Sequence, residues 1–137
     1  MKTIVVGYDE TEPSKRALER AADLAKAFDS KLIVTSVAPV LAGGPHSSTH
    51  ADPTDPPEKH ADELAHAQTF LKERQLDADF VPALGEPAHA IAELAAERNA
   101  DMIVVGTREP NVIQRILGMS VSDSVAHKAH CDVLIVH

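Results

Sequence analysis

Tryptophan is absent from this 137-residue chain, and aromatics are reduced to one tyrosine and three phenylalanines. Platforms for stacking single-stranded bases are therefore excluded. The core must be built from alanine, valine, leucine and isoleucine, which favours helices packed closely on a sheet. Cations are also scarce: 13 Lys and Arg face 21 Asp and Glu, a formal charge of −8 at pH 7. Such a surface repels nucleic acid and anionic membrane, so neither is an expected partner. The single cysteine, Cys131, permits no intrachain disulfide, which makes the cytoplasm the expected address. No apolar run is long enough to span a bilayer, and the opening MKTIVVGY lacks the layout of a secretory signal.

What the chain does have is four nearly continuous apolar runs: Thr3 to Val6, Leu32 to Val37, Met102 to Val105 and Val133 to Val136. Strands that are buried on both faces read this way, which predicts a parallel sheet covered by helices. A weaker fifth strand, Asp79 to Ala83, carries Pro82 and belongs at an edge, because proline cannot donate to a ladder. Helical stripes lie between the strands. Ala17, Leu18, Ala21, Leu24, Ala25 and Phe28 form the first, announced by Thr11 and Pro13. Ala61, Leu64, Ala65, Gln68 and Leu71 trace a second. Ile91, Leu94 and Ala95 trace a third, after the turn Gly85-Glu86-Pro87. A last helix runs from about Val121 to Ala129, with Ser120 as N-cap and Asp123 in capping-box spacing. The expectation is one domain over residues 1–137, a doubly wound α/β fold. The proline- and glycine-broken segment at about 38–57, with His46 and His50, reads as a solvated insertion; its functional alternative is a flap over a ligand site.

The region from Asp101 to His137 carries most of the functional signal. An apolar strand ends on Gly106, and a second glycine, Gly118, precedes Ser120, Val121 and Ser122 at a helix start. A strand-end glycine followed by a serine-capped helix is how α/β folds present backbone N–H groups to phosphate.

The segment IVVGYDETEPSKRALERAADLAKAFDSKLIVTSV, the Gly85-Glu86-Pro87 turn, the ADMIVVGT strand and the closing SVSDSVAHKAHCDVLIVH together resemble the universal stress protein family over essentially the whole length. That family usually shows Val-Gly-x-Asp-Gly-Ser before its first helix. The resemblance implies a five-stranded sheet of order 3-2-1-4-5, with helices on both faces and a ligand site where the first and fourth strands adjoin. It further implies a homodimer through the C-terminal strand. In nucleotide-binding members the phosphate loop follows the pattern Gly, two residues, Gly, nine residues, Gly, then Ser or Thr. Here Gly106 fits the first glycine and Glu109 stands at the second. Either Met119 replaces the third, or Gly118 supplies it in a loop one residue shorter. A glutamate blocks close approach of phosphate and adds like charge, about 1 kcal/mol of repulsion when solvated; Arg108 or Arg115 could offset it. At the adenine end, Tyr8 and Asp9 close the first strand and Val37 the second. The implied site is therefore Tyr8, Asp9, Val37, Gly106, Arg108, Gly118, Ser120, Val121 and Ser122. Its implied ligand is an adenine nucleotide (ATP, AMP or cyclic AMP), with magnesium accompanying ATP. The competing reading of Asp9 is an acid favoured by the positive end of the first helix.

Other chemistries are weaker. The eight histidines lack metal-site spacing; His46 and His50 are four apart, and His127 and His130 three apart on the last helix. Cys131 has little nearby to lower its pKa and reads as a small buried residue. A bacterial receiver domain also has two acids after its first strand, as Asp9 and Glu10 stand here, but no aspartate ends the third strand and no lysine follows the fifth. No GxSxG elbow or P-loop occurs, so a hydrolase is not expected. Two functions remain: a nucleotide-responsive stress protein acting by binding, with at most slow hydrolysis, and a dimeric stress regulator without nucleotide that acts through protein contacts.

Overall fold

The computed structural model describes residues 1–38, 57–107 and 121–137. Five strands and four helices alternate: β1 (Thr3–Gly7), α1 (Glu12–Phe28), β2 (Lys31–Ala38), α2 (Pro57–Glu73), β3 (Ala78–Leu84), α3 (Pro87–Glu97), β4 (Met102–Gly106), α4 (Val121–Lys128) and β5 (Asp132–Val136). All pairings are parallel and the strand order is β3-β2-β1-β4-β5, the doubly wound arrangement expected from the sequence. β3 lies at an edge, where Pro82 is tolerated opposite Ser36.

Alternation along the buried strands divides the core in two. Ile4, Val6, Leu32, Val34 and Val104 face α1 and α2, where they meet Leu18, Ala21, Leu64 and Leu71. Val5, Ile33, Ile103 and Val105 face α3 and α4, where they meet Ile91, Leu94 and Val125. The dominance of alanine on the helices lets them sit close to the sheet, which compensates for the shortage of aromatics.

Thr11 caps α1, its hydroxyl accepting from the Ser14 N–H, and Pro13 occupies the first turn, as predicted. The helix stops where Asp29 adopts a left-handed conformation at φ 54°. Phe28, the last residue of the helix, is 55% exposed rather than part of the buried stripe, while Ala22 joins the core. The phase of α2 also differs from expectation. Ala61, Ala65 and Gln68 are exposed, and the buried row is Glu63, Leu64, Ala67 and Leu71. Leu64 and Leu71, seven apart, set this face. Glu63 is drawn in because Ser36 on β2 donates a hydrogen bond of 2.5 Å to its Oε2.

Two carboxylates hold the starts of elements. The Asp101 carboxylate accepts the N–H groups of Thr3 and Lys2, at 3.0 and 2.8 Å, clamping the start of β1 to β4. Those two donors hold its pKa below the usual carboxylate value. Glu86 caps α3, accepting from the Ala88 and His89 N–H groups. Partial burial opposes its charge, but these donors and the Lys128 ammonium outweigh that and hold its pKa down.

Candidate ligand site

A cleft opens at the carboxyl ends of the central strands. Its walls are the end of β1 with Tyr8 and Asp9, Thr35 and Val37 of β2, and Val105 and Gly106 of β4. The first turns of two helices close it, through Thr11 and Ser14 of α1 and Pro87 and Ile91 of α3. β1 and β4 are neighbours whose crossovers lead to opposite faces of the sheet, α1 to one and α4 to the other. The connections that leave their carboxyl ends therefore diverge, and a crevice opens between them.

Asp9 stands at the junction of the two readings made from sequence. Its Oδ1 accepts from the Thr11 N–H at 3.1 Å and the Thr11 hydroxyl at 2.6 Å, so it does organise the start of α1. It also lines the cleft. The Asp9 N–H donates to the Ser14 hydroxyl, which in turn donates to the Thr11 carbonyl. The turn is therefore built from side-chain hydrogen bonds, and the acid is held in place at the cleft wall.

The next residue departs from the family pattern. Glu10 occupies the place of the glycine in Val-Gly-x-Asp-Gly-Ser and adopts φ 64°. That left-handed conformation costs a residue bearing Cβ about 1 kcal/mol or more. Its carboxylate pairs with His66 Nδ1 on α2, and this hydrogen bond and charge raise the histidine pKa above 6.5.

Gly106 has a different reason for being glycine. A Cβ there would lie 2.4 Å from the Pro13 carbonyl carbon and oxygen and 2.7 Å from the Ser14 nitrogen. The first turn of α1 rests directly on the β4 backbone, so the position demands glycine whether or not phosphate approaches it. Tyr8 is buried, and its N–H donates to the Thr35 carbonyl at 2.9 Å. Burial pushes its phenol pKa up, and Glu10, Glu63, Asp9 and Glu12 push it further. The carboxyl end of β1 is thus a region of negative potential.

Of the residues named from sequence, the structure brings Tyr8, Asp9, Val37 and Gly106 to this one cleft. Val121 and Ser122 begin α4. Arg108, Glu109, Arg115, Gly118, Met119 and Ser120 lie outside the described residues, as do His46, His50 and most of the 38–57 segment. Sequence reasoning missed Thr35, Ser14, Pro87 and Ile91. Thr35 left a faint signal, as one of two hydroxyl-bearing residues, with Ser36, inside a mostly apolar run. The histidine and cysteine readings gain little. His127 lies in α4 and His130 beyond it, and no group of three or more metal-ligating side chains occurs among the described residues. Cys131 is partly rather than fully buried; burial and the nearby Asp132 and Asp101 raise its pKa, which disfavours a reactive thiolate.

Comparison with known proteins agrees with this geometry. A model of the universal stress protein family matches residues 1–137. The universal stress protein Rv1636 of Mycobacterium tuberculosis is 37% identical over 99% of this chain and 96% of its own length. The stress response protein NhaX of Bacillus subtilis is 31% identical over 97% of this chain and 96% of its own. A universal stress protein crystallised in complex with cAMP has a TM-score of 0.73 and 30% identity, covering 99% of this chain and 97% of that one. With the motifs, the strand order and the full-length matches in agreement, the chain belongs to the universal stress protein family.

Proposed function

We propose that the protein is a stress-response binding module that takes an adenine nucleotide into the cleft at the ends of β1, β2 and β4. The observation that carries this reading is the convergence of Asp9, Val37 and Gly106 on one crevice at the switch point of the sheet. A relative of the same fold crystallised with cAMP supports it. The base enters between the strand ends, and the phosphate is directed to the start of α4, near Ser120, Val121 and Ser122, where helix N–H groups favour an anion. The family resemblance of the sequence adds Arg108 and Gly118 to the phosphate-binding set, and both lie outside the described residues. Magnesium, when ATP is the ligand, is carried by the phosphates, as is usual for this ion. The protein acts by binding in the cytoplasm, and catalysis is at most slow hydrolysis of a bound nucleotide.

The working unit of this reading is a homodimer joined through β5. That strand is an outer one, and its Val133, Leu134 and Ile135 are only partly buried. Unpaired apolar edges invite association. The alternative is a dimeric regulator that acts through protein contacts without nucleotide, and the same edge supports it. Melting temperature measured with and without millimolar ATP, AMP and cyclic AMP separates the two. A ligand at 100 times its Kd stabilises the fold by about 2.7 kcal/mol, readily seen in a melt. No shift with any of the three rejects the nucleotide reading. A monomer in micromolar sedimentation rejects the dimer.

A further inference from the structure

Thr35 stands on β2, paired with Gly7 of β1 and Val81 of β3, and is 1% exposed. Its Oγ1 is buried with no hydrogen-bond partner among the described residues, and the residue lines the cleft. The adjacent hydroxyl on the same strand is treated differently: Ser36, on the opposite face, donates to Glu63. A buried hydroxyl left unpaired is unfavourable, and valine has nearly the same shape without that penalty. Val34, one residue earlier, shows that the strand accepts valine in a fully buried position. An isosteric apolar residue would thus suit the ligand-free fold better, so the hydroxyl has a use when the cleft is filled.

The rest of the cleft indicates what it meets. Val37, Val105, Ile91 and Pro87 supply apolar lining to the same cleft, with Asp9 also at its wall. Apolar walls with a few polar groups suit a flat heteroaromatic base with polar edge atoms. The same walls, with an acid beside them, disfavour phosphate at that depth. We propose that Thr35 is a specificity residue whose hydroxyl hydrogen-bonds a polar edge atom of the nucleotide base. This rests on the nucleotide reading above. A hydroxyl both donates and accepts, so it can serve a ring nitrogen or an exocyclic amine.

Calorimetry with AMP on the wild type, Thr35→Val and Thr35→Ser, together with melting of each ligand-free protein, tests the assignment. Thr35→Val should weaken AMP binding about tenfold, the loss of one buried hydrogen bond, while its ligand-free form melts at the same temperature or a few degrees higher. Thr35→Ser, which keeps the hydroxyl, should bind within about threefold of wild type. Ribose 5-phosphate, which lacks the base, should compete equally well against wild type and Thr35→Val. Wild-type AMP affinity in Thr35→Val overturns the proposal and leaves the nucleotide site standing. Equal losses in Thr35→Val and Thr35→Ser trace the effect to packing and overturn it as well. Absence of AMP binding by the wild type removes both the site and this inference.

Discussion

Replacing Gly106 by alanine puts a methyl group against the first turn of α1. The added Cβ would lie 2.4 Å from two Pro13 backbone atoms and 2.7 Å from a third atom, the Ser14 nitrogen. Carbon atoms in contact rest at about 3.5–4.0 Å, so relief requires a separation of roughly 1 Å or more. No flexible side chain is available to yield, because every contact is backbone. α1 must lift away from β4, and that movement pulls on the Thr11 cap and the Asp9 and Ser14 hydrogen bonds. Overpacking costs about 1–3 kcal/mol and a weakened cap about 1 more, so the expected loss is about 2–4 kcal/mol. For a domain of this size that is a fall of roughly 10 °C in Tm. Gly7→Ala is the control. Its Cβ would meet only the Ile91 Cδ1 at 3.2 Å, the free end of a side chain that can rotate, and the expected cost is below about 1 kcal/mol. Urea denaturation of both variants with unchanged slope measures the difference. Equal midpoints for Gly106→Ala and Gly7→Ala would refute the claim that α1 rests on the glycine.

Three further outcomes are expected. Because Glu10 sits at φ 64°, Glu10→Gly should be more stable than Glu10→Ala by about 1 kcal/mol in urea denaturation, since both lose the His66 contact and only glycine relieves the backbone. His66 should titrate above 6.5 by NMR and move back down in Glu10→Gln, since the Glu10 hydrogen bond and charge raise it; its contribution to stability is present below the unfolded pKa and lost as pH rises through the raised folded value. Glu109→Gly with Met119→Gly should raise ATP affinity more than AMP affinity by calorimetry, because only the longer phosphate chain meets the altered backbone; equal gains for both ligands would place the obstruction elsewhere.

How far the fold could be read from the sequence depended on how unambiguous each residue's preference is. The runs Thr3 to Val6 and Met102 to Val105 have no polar alternation, so a doubly covered parallel sheet was the only comfortable home for them. Pro82 marked the edge for an equally simple reason. The phase of α2 was harder, because alanine accepts either face and a glutamate is not expected inside. Glu63 is buried through its bond to Ser36, a partner 27 residues away that no helical period reveals. At the cleft, Asp9, Val37 and Gly106 were visible as strand-end residues. The contact that fixes Gly106 as glycine was not, since it depends on where α1 lands. The left-handed turn at Glu10 was hidden too, because the residue itself argues against it. Thr35 was obscured for the opposite reason: a β-branched residue in a strand draws no notice, although its hydroxyl is the one feature a core does not require.

Electrostatics at the end of β1 carry the ligand question one step further. Burial raises the Tyr8 pKa most, and Glu10, Glu63, Asp9 and Glu12 add to it, so these four acids lie near the cleft residue. Lys15 offsets part of their charge, 3.6 Å from Glu12, and the whole chain carries −8. Two like charges about 8 Å apart in water repel by about 0.5 kcal/mol, and every further phosphate charge repeats that cost against several acids. A cyclic monophosphate, with a single charge, meets the least of it, and a triphosphate the most. Cyclic AMP is therefore expected to bind more tightly than ATP at low ionic strength. The margin should narrow as salt is raised, because the screening length falls from about 30 Å at 0.01 M to about 8 Å at 0.15 M. Calorimetry with both ligands across that range tests the ranking. A tighter ATP complex at 0.01 M would refute the ranking and mean that the acids around Tyr8 do not govern the choice of ligand.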